Sequence, residues 1–274
     1  MVYRVLDRRR LLTAAAGGGL ALAAQAAAVR AQGSATPASG QPSLGWDDDL
    51  VDGNGKLNVV TTVAPISSIA RNIGGTRIDL HGVIPDGTNS HTFEPAPSDA
   101  KILSQGDVIF VNGLDLELPT MDLAEANLRD GAEIVTLGDK TIAPDDYVFD
   151  FSFPKDKGHP NPHLWMNPAN AKRYAEIIAE TLSARDPDNA EYYAENLTRY
   201  SAALDALDAA IREAVQTVPE ANRKLLTYHD SWAYWAPRYD FTVIGAAQPS
   251  DFSEPSPREV AALIDQIKAA GVPA

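Results

Sequence analysis

Three histidines lie in three separate segments of this chain, each of which we expect to follow a β-strand. His91 lies in NSHTFEPAPSD, His163 in HPNPHLWMNP and His229 in TYHDSWAYW. A neutral imidazole is a suitable ligand for zinc and similar divalent ions, and ligands from distant segments form a site only when the fold brings them together. The three histidines therefore predict a metal site assembled from distant loops.

The spacing of the histidines excludes the compact metal motifs. The sequence contains neither a pair of close Cys or His ligands nor an HExxH segment, so a zinc finger and a zincin helix are excluded. It also contains no cysteine. Thiolate ligands, disulfides and a lipid anchor on any cysteine of this sequence are therefore excluded, and a metal would have to bind nitrogen or oxygen atoms.

Each histidine also has a structural interpretation. His91 follows the turn-rich run PDGTNS and fits a solvated loop, whereas His163, next to Leu164 and Trp165, fits a buried core position. His229 precedes an aromatic run and fits a packing or helix-capping residue, as does Asp230. The residues alone leave these alternatives open.

Six segments follow one another along the chain: VVTTVAPISSIARNIGG, IPDGTNSHTFEPAPSDAKILSQGDVIFVNGLDLE, HLWMNPANAKRYAEIIAETL, DPDNAEYYAENLTRYSAALDALDAAI, TYHDSWAYWAPRYDF and IDQIKAAGVPA. Taken in this order, they resemble the metal-binding solute-binding proteins of ABC transporters (cluster A-I), which capture zinc or manganese outside the inner membrane. The resemblance runs from about Leu57 to the last residue. It implies that His91, His163 and His229 are metal ligands and that the protein delivers metal to an inner-membrane permease without being an enzyme.

The identity of the metal is less constrained than the site. Three neutral imidazoles favour zinc, because manganese prefers more oxygen donors. In the resembled family the third ligand is His in most zinc binders and often Glu in manganese binders, and here it is His229. Some manganese-binding relatives use three His and one Asp, so manganese stays the alternative. The family also implies an acidic fourth ligand, which we expect beyond Ala274, with the C-terminal lobe incomplete.

Two other classes of function compete with this interpretation. A zinc-dependent hydrolase also uses three protein ligands and an open position for water. No Glu or Ser lies in a recognisable base or nucleophile motif, however. A surface adhesin, the role once given to some relatives, fits poorly with a chain that has no cysteine for a lipid anchor.

The N-terminal region predicts export. Arg8-Arg9-Arg10-Leu11-Leu12 precedes an Ala/Gly run that ends near Ala31, which indicates a signal peptide of the twin-arginine type over residues 1–31 and a periplasmic location. The alternative is an N-terminal membrane anchor. Removal of residues 1–31 changes the formal net charge from −14 to −18, which disfavours nucleic acid as a partner. We expect a monomer.

The elements that must position the histidines alternate between strand and helix. Strands are predicted at residues 57–63, 77–84, 108–111 and 133–137, with helices from Pro65 to Gly74 and over residues 98–105. After His163 the longest helical pattern runs from Pro187 to Val218, with an apolar stripe that includes Leu207. A strand at residues 224–227 then leads to His229, followed by an aromatic helix at Ser231–Trp235 and a strand at 241–244. The last predicted helix covers residues 258–270, with Val260, Leu263, Ile264 and Ile267 facing inward.

This order predicts an α/β fold in which two lobes with parallel sheets are joined by a long, rigid connecting helix. The predicted boundaries are 32–56 for a flexible linker, 57–185 for the N-terminal metal-binding lobe, 186–218 for the connecting helix and 219–274 for the partial C-terminal lobe. The long helix could instead mediate dimerisation. As an internal strut it should resist bending, so we expect the metal-linked change in shape to be small.

Other polar residues have weaker assignments. His159 lies where several zinc-specific relatives carry a His-rich, acidic loop, so an accessory role in metal loading competes with a solvated loop position. His81 falls inside a predicted strand and is expected to be structural. Four acids are conceivable partners of the metal ligands: Asp99, Asp115, Glu117 and Asp230.

Overall fold

Strands and helices alternate through the part of the chain that the computed structural model describes, residues 47–250 and 252–271. The predicted signal peptide and residues 32–46 of the predicted linker lie outside these described residues. The helices of the described residues lack the combination of length and apolar composition that a membrane span requires. The predicted domain boundaries stay predictions.

The first sheet consists of four parallel strands. These are β1 (Leu57–Thr61), β2 (Ile78–Gly82), β3 (Val108–Val111) and β4 (Glu133–Thr136), in the order β2-β1-β3-β4. β1 and β3 are buried almost throughout, as expected for strands covered on both faces. The connections leave β1 and β3 in opposite directions, and ligands of such sheets bind at the carboxyl ends of the strands near this point.

In the described part of the chain, five helices accompany this sheet: α1 (Ala64–Gly74), α2 (Pro97–Leu103), α3 (Leu118–Asn127), α4 (Pro168–Arg185) and α5 (Ala190–Gln216). α1 has its predicted proline in the first turn and buries Ile66, Ile69 and Ile73. The sequence pattern assigned no helix to α3, which buries only Thr120 and Ala124 and so shows no apolar stripe. Asn167 caps the start of α4, and its side chain accepts a hydrogen bond from the backbone N–H of Ala169.

The predicted connecting helix is present but shorter than its pattern. Pro187–Asn189 forms a 3₁₀ turn, and the α-helix α5 then runs over 27 residues, which is about 40 Å. Tyr193 and Asn196 are buried near its start, where the Asn196 amide donates to the carbonyl of Ile73 (2.7 Å). Leu207, predicted to lie on the apolar stripe, is 48% exposed. The effect of metal on the shape of the chain stays a prediction.

Asp208 fastens the second half of α5 to the segment after His229. Its carboxylate accepts two hydrogen bonds from Arg238 (2.7 and 2.9 Å), one from the Tyr239 hydroxyl (2.6 Å) and one from Arg212 (3.2 Å). The hydrogen bonds from Arg238, followed by those from Tyr239 and Arg212, hold the pKa of Asp208 well below its ordinary value. The charged form of Asp208 therefore stabilises the folded chain.

We expect Asp208→Asn to destabilise the fold at pH 7 by about 1–3 kcal/mol, because hydrogen bonds to a charged acceptor are lost. Since the folded pKa lies below the unfolded one, this contribution is present above about pH 3.9 and shrinks by about 1.4 kcal/mol per pH unit below it. Urea unfolding of parent and variant between pH 7 and pH 3 measures the difference. Asp205→Asn is the control, because the Asp205 side chain is 65% exposed and, among the described residues, pairs only with Lys172. A loss that did not depend on pH would contradict the electrostatic explanation.

The second sheet has two parallel strands, β5 (Lys224–Thr227) and β6 (Thr242–Ala246). Between them, the helix predicted at Ser231–Trp235 is wrong. The chain instead makes turns in which the N–H groups of Trp235 and Ala236 donate to the Trp232 carbonyl, followed by a 3₁₀ turn at Pro237–Tyr239. Proline at position 237 has no N–H to donate to the carbonyl of Ala233, so the hydrogen-bonding pattern of an α-helix is interrupted at this point.

The last described helix is α6 (Pro257–Ala270), which begins with a capping box between Ser256 and Glu259. Its predicted inward face is only partly covered in the described structure. Leu263 and Ile267 are half-buried, whereas Val260 and Ile264 are 41% and 45% exposed. The prediction that all four side chains point inward is therefore wrong for Val260 and Ile264.

Residues 47–56, the described part of the predicted linker, are held against the first sheet. Asp47 forms an antiparallel bridge with His81, and the N–H of Asp48 donates to the carbonyl of Leu80 (2.9 Å). The carboxylate of Asp48 also binds Arg71 (2.6 Å). A flexible linker is therefore the wrong description for these residues, because backbone pairing and an ion pair fix them.

Candidate metal centre

The three histidines come from loops at the carboxyl ends of strands in both sheets. His91 lies in the loop between β2 and α2, where its N–H donates to the side chain of Asn89 (3.0 Å). His163 lies between β4 and α4, at the start of the 3₁₀ turn Leu164–Met166. His229 lies two residues after β5. The fold thus brings together side chains that are widely separated in sequence.

The ring nitrogens of the three histidines converge. One nitrogen from each ring lies within 4.8 Å of the others, and the Nε2 atoms of His91 and His163 are 3.2 Å apart. Ligand bonds of about 2.0–2.1 Å in a tetrahedral arrangement would place nitrogen atoms about 3.3 Å apart. The His91–His163 separation therefore already matches one edge of a tetrahedral metal site.

The electrostatics of the cluster favour neutral rings. Burial, together with the charge that a protonated His229 would carry, lowers the pKa of His91 to about 3. Burial lowers the pKa of His229 to about 4 and that of His163 well below its ordinary value, with further contributions from the other two rings for His163. Neutral imidazoles keep the free electron pairs that a metal ion needs.

Both ring nitrogens of His229 are buried and have no hydrogen-bond partner among the described residues. A buried nitrogen without a partner is costly, and neutral imidazole always offers one electron pair for donation to a metal. The lack of a hydrogen-bond partner among the described residues therefore fits a metal-ligand position for His229 and does not support the capping alternative.

Aromatic side chains enclose the cluster. Phe153 lies 5.5–5.7 Å from all three imidazole rings, measured between ring centres, and Trp165 meets His163 edge-on at 5.1 Å. Phe252 stacks on His91 at 4.5 Å with nearly parallel planes. These rings keep water away from the nitrogens and limit how far each imidazole can turn.

The sequence patterns missed Asn161, Asp150 and the two phenylalanines of this enclosure. Asn161 is fully buried, and its Oδ1 accepts a hydrogen bond from Nδ1 of His163 (2.9 Å). An Asn two residues before a histidine can bond to the intervening turn, which is the only signal that the sequence offered. Phe153 and Phe252 gave no signal, because an isolated Phe in a loop has no periodic pattern.

His159 and His81 lie outside the cluster. His159 is 55% exposed at its side chain and pairs through Nδ1 with Asp115 (2.9 Å). Both residues line a cavity of about 110 Å³ that His91 also borders. A role of His159 in metal loading stays a prediction. His81 lies within β2, as predicted.

The four acids proposed as partners of the ligands occupy different places. Asp99 caps α2 by accepting from the N–H of Ala96 (2.8 Å). Glu117 is buried beyond the ends of β1 and β3, and burial raises its pKa to about 7. Asp230 follows His229 directly, and burial raises its pKa to about 6. No hydrogen bond between any of these carboxylates and the three clustered imidazoles is present in the described structure.

The chain matches known proteins over most of its length. Residues 59–274 match the family model described as ZnuA, zinc-uptake complex component A periplasmic. The metal ABC transporter substrate-binding lipoprotein FimA of Streptococcus parasanguinis is 30% identical over 221 residues, which are 81% of this chain and 72% of FimA. The manganese ABC transporter substrate-binding lipoprotein PsaA of Streptococcus anginosus is 31% identical over 223 residues, which are 80% of this chain and 71% of PsaA.

A solved structure agrees with this match. The periplasmic zinc binding protein TroA from Treponema pallidum superposes with a TM-score of 0.70 at 25% identity, covering 80% of this chain and 76% of TroA. The proteins of this group are transport components and not enzymes, so the hydrolase alternative is excluded. This chain therefore belongs to the ZnuA family, the metal-binding substrate-binding proteins of ABC transporters.

Proposed function

We propose that this chain binds one zinc ion through His91, His163 and His229 and delivers it to the permease of its transporter. The observation that carries this proposal is the convergence of three ring nitrogens within 4.8 Å at the carboxyl ends of the strands. In this protein the metal is the transported substrate. The family membership gives a metal ion and a membrane permease as partners, and the ligand set and the choice of zinc are the parts proposed here.

Zinc is preferred to manganese on the chemistry of the donors. Zinc binds well to neutral imidazole at four-coordinate sites, whereas manganese binds oxygen-rich sites with six ligands. Within the described residues the cluster offers three imidazole nitrogens and no carboxylate oxygen. Manganese is the second candidate, because the related PsaA proteins are described as manganese-binding.

Competition between zinc and manganese tests which of the two ions this chain prefers. Residues 32–274, freed of metal, are titrated with zinc in a calorimeter, with manganese, and with zinc in the presence of excess manganese. We expect one zinc ion per chain and a dissociation constant for zinc that is at least tenfold lower than that for manganese, in line with the general order of affinities of divalent ions. Tighter binding of manganese would replace zinc by manganese in this proposal and leave the three-histidine site intact.

A further inference from the structure

We propose that Asn161 is a positioning residue that fixes the metal-binding face of His163 and ties it to the loop carrying His229. The inference rests on the proposed function, since it concerns the same three histidines. It starts from a side chain that is 0% exposed and that uses its full hydrogen-bonding capacity. The partners of this one amide belong to three different segments of the chain.

The amide of Asn161 takes part in four hydrogen bonds. Its Oδ1 accepts from the backbone N–H of His163 (3.0 Å) and from His163 Nδ1 (2.9 Å). Its Nδ2 donates to the carboxylate of Asp150 (2.7 Å) and to the backbone carbonyl of Asp230 (2.8 Å). A fully satisfied buried amide is strongly held in one orientation.

The chemistry of the partners fixes which end of the amide faces His163. The carbonyl of Asp230 can only accept a hydrogen bond, and so can the ionised carboxylate of Asp150, so the nitrogen of Asn161 must face them. The backbone N–H of His163 can only donate, so the oxygen must face it. His163 Nδ1, which contacts the same oxygen, must therefore carry the proton.

This assignment selects the ligand atom of His163. With the proton on Nδ1, the electron pair of the neutral ring is on Nε2, the atom that lies 3.2 Å from His91 Nε2. Outer hydrogen bonds of this kind set the tautomer and orientation of metal-binding histidines, and their loss typically costs about 10- to 100-fold in affinity.

The amide nitrogen of Asn161 contacts the segment that follows β5 of the second sheet. Asp230 directly follows His229 in the segment after β5, and its N–H also donates to the Ser152 hydroxyl (3.1 Å). The Asn161 side chain therefore joins the turn that holds His163 to the segment that holds His229. Asp150 supports this link, because its carboxylate also accepts from the N–H groups of Ser152 and Phe153 (3.0 Å each).

Exchanging the two side chains at 150 and 161 tests the proposal. Asn161→Asp keeps an acceptor for His163 but loses both donated hydrogen bonds and places a carboxylate against Asp150. Asp150→Asn places an amide nitrogen against that of Asn161. We expect each single variant to bind zinc about 10- to 100-fold more weakly. The double variant Asp150→Asn/Asn161→Asp restores one donor and one acceptor between the two positions but leaves a carboxylate oxygen at position 161 facing the Asp230 carbonyl, so it should recover part of the loss.

The readout is the zinc dissociation constant from competition with a chromophoric chelator. The visible absorption of bound Co²⁺ reports on ligand geometry, and thermal unfolding of the metal-free proteins reports on folding. The matched control is Asn196→Ala, which removes another buried amide that bonds to Ile73 at the end of α1. This control should lower the unfolding temperature but leave zinc affinity and the Co²⁺ spectrum unchanged.

The outcomes separate this inference from the proposed function. If the parent chain does not bind zinc, the three-histidine site itself is wrong. If the parent binds zinc and both single variants bind it equally tightly, the hydrogen bonds that Asn161 donates to Asp150 and to Asp230 do not position the site, and the proposed function stands. A double variant no better than the worse single variant would also overturn the link between Asp150 and Asn161.

Discussion

Replacing His91, His163 and His229 together by alanine is expected to abolish zinc binding by residues 32–274. The substitution removes all three nitrogens that lie within 4.8 Å of one another, and the described residues offer no other cluster of this kind. Metal affinity depends on the number of ligands supplied by the fold. Calorimetric titration should show no binding in the range that saturates the parent protein.

Single substitutions sharpen this test. Each single alanine variant should lose more than the roughly 10- to 100-fold that an outer hydrogen bond contributes, because a ligand itself is missing. His81→Ala is the control, since His81 lies in β2 outside the cluster and its loss should not change zinc affinity. Undiminished zinc binding by the triple variant would place the site elsewhere in the chain.

Zinc should also raise the stability of the fold by a large amount. An ion that binds only the folded chain stabilises it by about 4 kcal/mol when its free concentration is about 1,000 times the dissociation constant. For a domain of this size that corresponds to a rise in unfolding temperature of roughly 8–16 °C. Differential scanning calorimetry at increasing zinc concentration should show the unfolding temperature rising steadily.

Two variants control this measurement. The triple alanine variant should show no zinc-dependent rise, because its site is absent. The Asp208→Asn variant should begin at a lower unfolding temperature and show the same rise as the parent, because the hydrogen bonds of Asp208 go to Arg212, Arg238 and Tyr239 and not to the histidines. Equal rises in the parent and the triple variant would mean that zinc acts at other sites.

The strands and most helices followed from local patterns. β3 was predicted with its observed bounds because Val108–Val111 is an uninterrupted apolar run between turn residues. Helix α3 was missed because its buried face consists of small residues, Thr120 and Ala124, which carry no apolar signal. The false helix at Ser231–Trp235 came from an aromatic run whose side chains pack on one another in turns, with Trp232 and Trp235 5.1 Å apart.

The candidate ligands were predictable from the resemblance, but their environment was not. His91, His163 and His229 each had an ordinary structural explanation when taken alone, and only the order of the matching segments favoured metal binding. The contact between Asn161 and Asp150 depends on the path of the loop after β4, and the approach of Asp230 depends on the second sheet. Such contacts join segments that do not interact through any local pattern, so no window of sequence could reveal them.

Helix α5 fixes the directions in which Asn196 and Asp208 point around the helix axis, as well as the distance between them. Asn196 faces the end of α1 and Asp208 faces Arg238, roughly three and a third turns later. One residue inserted between them would lengthen the helix by only about 1.5 Å but would rotate Asp208 by about 100° away from its arginine. Seven inserted residues would restore the direction to within about 20°. Insertions or deletions between Asn196 and Asp208 are therefore compatible with the ion pair between Asp208 and Arg238 mainly when they change the helix by about two turns.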